Sequence, residues 1–225
     1  MPLYSINGPR LNQTLEELGH LGESPDGMDR VAYSPEDVLG RDYSINLMKD
    51  AGLETRIDAA GNIIGRASGV DNSLPAIAIG SHTDTVPKGG KYDGALGVLA
   101  AIEVMRTLRE RGHHTRHPVE VINYTNEEGP RFHRWLVGSR SMSGTLEQED
   151  LEAVDDNGYG LGPCLYDIGG DMSRIGESAR KPGELAAYFE LHIEQGPYLH
   201  NSGTPIGVVT GITGRAVFEL SLIHT

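Results

Sequence analysis

Residues 75–82 read Pro-Ala-Ile-Ala-Ile-Gly-Ser-His, and residues 119–124 read Val-Glu-Val-Ile-Asn-Tyr. The first is a short apolar run of the kind that forms a strand buried on both faces of a sheet, and the second predicts another strand. Between them lies an apolar helical segment over about 94–111, which Gly112 closes. Strand, helix and strand at this spacing predict an α/β fold, with a mixed, mostly parallel sheet and helices on its faces.

The flanking segments fit the same architecture. Leu11, Leu15 and Leu18 recur at helical spacing, and Ser34 followed by Pro35 is typical of the start of a helix. The elements predicted outside the central unit are helices over 8–19 and 34–51, two short strands within 53–66, a short acidic helix and a connecting loop within 145–185, a strand over 186–193, and one or two strands within 206–225.

Composition excludes several classes of function. The chain has 225 residues, with 19 basic against 32 acidic residues and a formal charge of -13, so it would repel the phosphates of a nucleic acid. We find no run near the roughly 18 apolar residues of a membrane span and no secretory signal at the N-terminus. Cys164 is the only cysteine, which excludes an internal disulfide and suits a reducing cytosol. We therefore expect a cytoplasmic protein without nucleic-acid or membrane partners.

Polar residues follow the predicted strands at one edge of the sheet, where open α/β sheets bind their ligands. His82 ends the first strand and Asp93 directly precedes the helix, while Glu127 and Glu128 follow the second strand and His192 comes late in the third. Each has an ordinary alternative: a hydrogen-bonded histidine, a helix cap or a solvated acidic turn. Two adjacent carboxylates after an apolar strand nevertheless favour a nearby cation, and these residue types suit zinc or a similar divalent ion.

Four motifs surround these residues: Gly80-Ser-His-Thr-Asp-Thr-Val-Pro87, Gly89-Gly-Lys-Tyr-Asp-Gly94, Asn126-Glu-Glu-Gly-Pro-Arg-Phe132 and Glu190-Leu-His-Ile-Glu-Gln-Gly-Pro197. The first three resemble the metallopeptidase M20 superfamily. The fourth narrows the resemblance to its amidase branch, which contains N-carbamoyl-L-amino acid hydrolases, β-ureidopropionases and allantoate amidohydrolases. The resemblance covers essentially the whole chain.

This resemblance implies a centre of two divalent ions, zinc or else manganese or cobalt. His82 and His192 would bind one metal, Asp93 would bridge both, and Glu128 would bind the second. Glu127 would be the general base that activates the bridging water. Two glutamates serve this chemistry because one carboxylate binds the cation while the other stays free to accept the proton of the water.

Further residues have assignments that leave alternatives open. Asp84 is expected to orient the imidazole of His82, with a plain turn residue as the alternative. Gln195 and Arg131 resemble positions near the substrate pocket of the family. Arg131 suits a bidentate contact with a substrate carboxylate, and an ordinary surface ion pair is an equal alternative. A second group of histidines, within His113-His-Thr-Arg-His117, is interpreted as a solvated loop rather than a metal site.

The family completes its second metal site with a histidine from a distant C-terminal segment, which follows an inserted lid domain. We therefore expect residues 1–209 to be the N-terminal part of the catalytic domain and 210–225 the start of a lid and dimerisation domain. On this interpretation the chain is truncated, its second metal site is incomplete, and the parent protein is a homodimer through the lid.

The sequence thus predicts a metal-dependent amidohydrolase that hydrolyses the C–N bond of N-carbamoyl-L-amino acids or related ureido compounds. Two alternatives stay open. One is a non-catalytic fragment that binds a single metal, and the other is a peptidase or deacylase of the same superfamily that acts on another amide.

Overall fold

A five-stranded mixed sheet organises the fold, which a computed structural model describes for residues 4–212 and 214. A small hairpin, β1 Glu23–Ser24 with β2 Gly27–Met28, is separate from it. The strands of the five-stranded sheet are β3 Glu54–Ile57, β4 Ile63–Ala67, β5 Ala76–His82, β6 Val119–Tyr124 and β7 Leu185–Phe189. They lie in the order β3, β4, β6, β5, β7. The β3–β4 and β4–β6 pairings are antiparallel, and the β6–β5 and β5–β7 pairings are parallel.

Helices precede, connect and follow these strands. They are α1 Gly8–Gly19, α2 Pro35–Asp50, α3 Ala95–Glu110, α4 Val137–Ser143, α5 Gln148–Leu151, α6 Leu161–Asp167, a 3-10 helix Met172–Ser178 and α7 Tyr198–Ser202. α1 buries its three leucines, as their spacing predicts. The Ser34 hydroxyl accepts the backbone N–H of Asp37 and so caps α2.

The predicted α/β architecture is confirmed, and the β5–α3–β6 unit lies where the sequence predicts it. Two sequence predictions need correction. β7 ends at Phe189, because its pairing with β5 stops at Ile79; His192 therefore lies beyond the strand rather than late within it. The segment 145–185 is also more helical than expected, since α6 buries Leu161 and Leu165 in an apolar cluster with Phe132.

The main core lies between the sheet and the helices α1, α2 and α3. Leu99 and Met105 of α3 pack there with Ile63 and Val121 of the sheet and Leu18 of α1. This packing fixes the axis of α3 against β5, and so determines where the residues before α3 are placed.

The chain divides into two compact units, Met1–Ile193 and Glu194–Thr225. In the second unit α7 ends at Ser202 with Gly203 as its C-cap, and residues 204–212 form no helix or strand. The boundary predicted at 209/210 stays a prediction. Of the segment 206–225, where one or two strands are expected, residues 206–212 form no strand, and residues 213 and 215–225 lie outside the described residues. Within residues 4–212 and 214, no helix has both the length and the apolar character needed to cross a bilayer.

Candidate metal centre

Two histidines at the carboxyl end of the sheet are held in the same way. The Nδ1 atom of His82 lies 3.0 Å from the carbonyl oxygen of Asp84, and Nδ1 of His192 lies 3.0 Å from that of Ile193. A neutral imidazole that donates Nδ1–H to a carbonyl has the lone pair of Nε2 available for a cation. Both rings are therefore oriented as metal-binding histidines usually are.

Asp93 lies between the two rings. Its Oδ1 atom is 3.1 Å from Nε2 of His192 and 3.9 Å from Nε2 of His82. The three residues offer ligand atoms that all lie within 4.8 Å of one another. Two imidazoles and a carboxylate form a donor set that zinc, manganese and cobalt accept, so this group fits a divalent ion.

The two glutamates complete a second group. His82, Glu127 and Glu128 also offer ligand atoms within 4.8 Å of one another, with Oε2 of Glu127 3.5 Å from Nε2 of His82. The segments that follow the strands therefore do meet at one edge of the sheet, as the sequence predicted. His82 belongs to both groups of ligand atoms.

Asp84 is buried behind His82, and its carboxylate has an additional role that the sequence did not reveal. The backbone N–H of Glu127 donates to Oδ1 of Asp84 at 3.2 Å, and that of Glu128 donates to Oδ2 at 3.1 Å. Oδ1 also lies 3.6 Å from Nδ1 of His82. Asp84 thus holds the turn with both glutamates against the first histidine.

Gly94 is the residue that lets α3 begin beside this histidine. Its φ of +62° lies in the left-handed region, and a Cβ atom there would come within 2.4 Å of the imidazole of His82. A side chain at this position would displace either the ring or the preceding Asp93. The glycine of the motif is therefore required by space as well as by backbone conformation.

The charges of the cluster favour a cation. Burial opposes the charged form of His82, but its hydrogen bond to Asp84 and the charges of Asp84 and Glu127 together raise its pKa to about 10. Burial, followed by the neighbouring carboxylates, raises the pKa of Glu127. The same causes raise the pKa of Glu128 to about 7. The carboxylates thus stabilise positive charge at His82, and a bound divalent ion would take the place of the proton there.

A returning loop fixes the backbone of Glu127 from the other side. The N–H of Leu136 donates to the carbonyl oxygen of Glu127 at 2.9 Å, and that of Val137 donates to Asn126 at 3.2 Å. Asn126 and Leu136 have φ values of 49° and 59°. Asparagine tolerates this left-handed region but leucine rarely adopts it, so the loop stores strain next to Glu127.

Arg131 forms the ion pair that was one of its two predicted alternatives. Its Nε donates to Oδ2 of Asp155 at 2.8 Å, and its guanidinium lies 5.3 Å from the ring centre of Phe132. Gln195 lies in the second unit, with a φ of 54°. Substrate contacts by Arg131 and Gln195 stay predictions.

Comparison with known proteins gives a consistent result. The model of peptidase family M20/M25/M40 matches residues 78–222. An N-carbamoyl-L-amino acid amidohydrolase of Geobacillus stearothermophilus is 46% identical over 210 residues, which are 93% of this chain and 51% of that protein. A ureidoglycolate hydrolase of Arabidopsis thaliana is 39% identical over 231 residues, with coverage of 96% and 47%.

Solved structures agree with the sequence relatives. The crystal structure of a hydantoinase/carbamoylase family amidase from Burkholderia ambifaria superposes with a TM-score of 0.80 at 40% identity. That superposition covers 89% of this chain and 48% of the amidase. The chain spans about half the length of the curated relatives that it matches.

Proposed function

Since the chain belongs to peptidase family M20/M25/M40, we propose that it forms the metal-binding part of an amidohydrolase that cleaves the C–N bond of N-carbamoyl-L-amino acids or related ureido compounds. The observation that carries this proposal is the convergence of His82, Asp93 and His192 beside Glu127 and Glu128. The names of the Geobacillus and Arabidopsis relatives support a ureido-type substrate for the whole protein.

The ligands follow from the two groups of donor atoms. His82, Asp93 and His192 would hold one divalent ion, and Glu128 would help to hold a second one with Asp93 between them. Such ions, when bound, lower the pKa of water and polarise a carbonyl group. Zinc, manganese and cobalt all accept a donor set of this kind.

Glu127 would act as the general base. Its raised pKa gives the carboxylate the proton affinity that the step needs. It would take a proton from water as the water oxygen bonds to the carbonyl carbon, and would return that proton to the nitrogen as the C–N bond breaks. The hydrogen bonds of its backbone to Asp84 and Leu136 keep the carboxylate beside His82 during this transfer.

A second candidate is a chain that binds one metal without catalysing a reaction. It is favoured by the donor groups themselves, because His82, Asp93 and His192 form one group and the second group, His82, Glu127 and Glu128, shares His82 with it. A deacylase or peptidase that acts on a different amide would use the same residues and would differ only in its substrate.

The test compares two forms of the protein: the 225-residue chain, and the same chain extended after Thr225 by the C-terminal half of the Geobacillus relative. Metal content is measured by elemental analysis, and ammonia release is measured with N-carbamoyl-L-alanine. In the extended form we expect Glu127→Gln to lower turnover by roughly 10²- to 10⁴-fold while metal content stays unchanged. The matched control is Glu149→Gln, which changes an exposed glutamate of α5.

Each result separates the candidates. Full turnover in Glu127→Gln would remove Glu127 as the base. Metal binding by both forms, with no hydrolysis by the extended form, would favour the non-catalytic candidate. Turnover of N-acetyl-L-alanine in preference to the N-carbamoyl compound would favour the deacylase.

A further inference from the structure

We propose that Ser81 and Glu190 are a pair of positioning residues that sets the separation of His82 and His192. The inference rests on the proposed metal-binding role of these two histidines. It assigns a function to Glu190, which precedes His192 by two residues and is not among the proposed ligands.

The backbone does not hold the two histidines together. β5 and β7 pair in parallel only as far as Ile79 and Phe189. β5 continues to His82 beside β6, whereas the chain after Phe189 leaves the sheet. Glu190 and Leu191, the two residues that lead from β7 to His192, therefore lack the ladder of hydrogen bonds that would fix their distance from β5.

Side chains bridge the gap where the ladder ends. The buried hydroxyl of Ser81 donates to Oε1 of Glu190 at 2.7 Å. The hydroxyl of Tyr188 lies 2.8 Å from Oε2 of Glu190 and 3.1 Å from the carbonyl oxygen of Gly80, so its single proton is shared between them. One carboxylate thus links both strand ends through hydrogen bonds to an ion, which are stronger than those between neutral groups.

Helix α3 packs against both Ser81 and the backbone of Leu191. A Cβ atom at Gly97 would lie 2.4 Å from the carbonyl oxygen of Leu191 and 2.7 Å from Cβ of Ser81. The first turn of α3, which follows Asp93, therefore touches the segments of both histidines. A movement of Glu190 away from Ser81 would change how all three ligand-bearing segments meet.

The consequence concerns metal affinity. A metal site requires ligand distances correct to about 0.2 Å, and residues that orient ligands typically contribute 10- to 100-fold to affinity. The Ser81–Glu190 bond acts on position, while the negative charge of Glu190 would act through space on any cation. These two effects can be separated, because glutamine keeps the acceptor oxygen but removes the charge.

The test measures zinc affinity of the 225-residue chain by competition with a chromophoric chelator, and the visible spectrum of the cobalt form. We expect Ser81→Ala and Glu190→Ala each to weaken zinc binding by roughly 10- to 100-fold and to change the cobalt spectrum. Glu190→Gln is expected to stay within about threefold of the wild type, because an acceptor for Ser81 remains. Glu190 is exposed, so its variants test the idea without loss of the core.

Ser44→Ala is the matched control, since Ser44 is equally buried and its hydroxyl donates to the carbonyl of Gly40 within α2. Zinc affinity should not change in this variant. The proposal is overturned if Ser81→Ala binds zinc as tightly as Ser44→Ala does, or if Glu190→Gln loses as much affinity as Glu190→Ala. If the wild type binds zinc no better than His82→Ala, the metal centre itself fails, and the positioning pair fails with it.

Discussion

The two ends of α3 carry similar residues in different surroundings. Gly94 precedes the helix with a φ of +62°, and Gly112 follows it with a φ of +63°. A Cβ atom at Gly94 would collide with His82, whereas one at Gly112 would meet nothing within 4 Å. The same left-handed glycine therefore serves close packing at the first end and only a turn at the second.

The histidines near the two ends of α3 also differ in their burial and in the groups that surround them. His82 is 2% exposed and lies near the carboxylates of Asp84, Asp93 and Glu127. His113, at the other end, packs against the ring of Tyr4, with a centroid distance of 5.4 Å. Nδ1 of His117 lies 2.8 Å from the carbonyl oxygen of Pro75. His82 thus has the burial and the neighbouring carboxylates that favour a cation, whereas His113 and His117 have aromatic and backbone contacts instead.

The largest expected effect tests this contrast directly. His82→Ala removes a ligand atom that belongs to both groups of donors, so zinc affinity should fall at least about 100-fold, since loss of a direct ligand should exceed the 10- to 100-fold effect of residues that orient ligands. His114→Ala removes an exposed histidine from the far end of α3 and should leave the affinity within about twofold. Competition with a chelator measures both variants. An equal loss of zinc affinity in the two variants would contradict the assignment of the zinc site to the His82 end of α3.

Gly94→Ala and Gly112→Ala form a second matched pair. Both place a side chain in the left-handed region, which costs roughly 1 kcal/mol in stability. Only the first brings Cβ to within 2.4 Å of His82, so it alone should also weaken zinc binding, by roughly 10- to 100-fold. Chemical denaturation and zinc titration of each variant check the two effects separately. Unchanged zinc affinity in Gly94→Ala would show that the ring can move aside without harm.

The sequence predicted the frame of this site because local signals define it. Short apolar runs located β5 and β6, and an apolar segment between Gly94 and Gly112 located α3. The carboxyl ends of parallel strands share one edge of a sheet. This rule was sufficient to bring His82, Asp93 and the two glutamates together. Their roles as ligands and base came from the family resemblance and stay predictions.

What the sequence could not show depends on contacts between distant segments. Nothing near Asp84 indicates that its carboxylate accepts the N–H groups of Glu127 and Glu128, more than 40 residues away. The left-handed conformation of Leu136 is imposed by the returning loop and contradicts the preference of leucine. The end of β7 at Phe189 likewise depends on where β5 stops offering partners.

The stability of the metal-free chain should depend on pH through His82. The pKa of His82 rises from 6.5 in the unfolded chain to about 10 in the fold. Its stabilising contribution is therefore fully present below pH 6.5 and is lost as the pH rises toward 10. Between pH 7 and 9 the wild type should lose up to roughly 2 kcal/mol relative to His82→Gln. Urea denaturation in the presence of a chelator measures this difference, and parallel pH profiles for the two proteins would contradict it.

The smallest expected effect belongs to Arg131, which is near Glu128 in sequence but is held by other contacts. Its guanidinium is engaged by Asp155 and Phe132, so Arg131→Ala should leave zinc affinity within about twofold. Its side chain is 26% exposed, and a double-mutant cycle with Asp155→Ala should give a coupling of about 1 kcal/mol or less. If the extended chain instead shows a raised KM for N-carbamoyl-L-alanine with kcat and stability unchanged, Arg131 exchanges Asp155 for the substrate carboxylate. The position of Arg131 close to Glu128 in the sequence would then have predicted its function better than its contacts with Asp155 and Phe132 do.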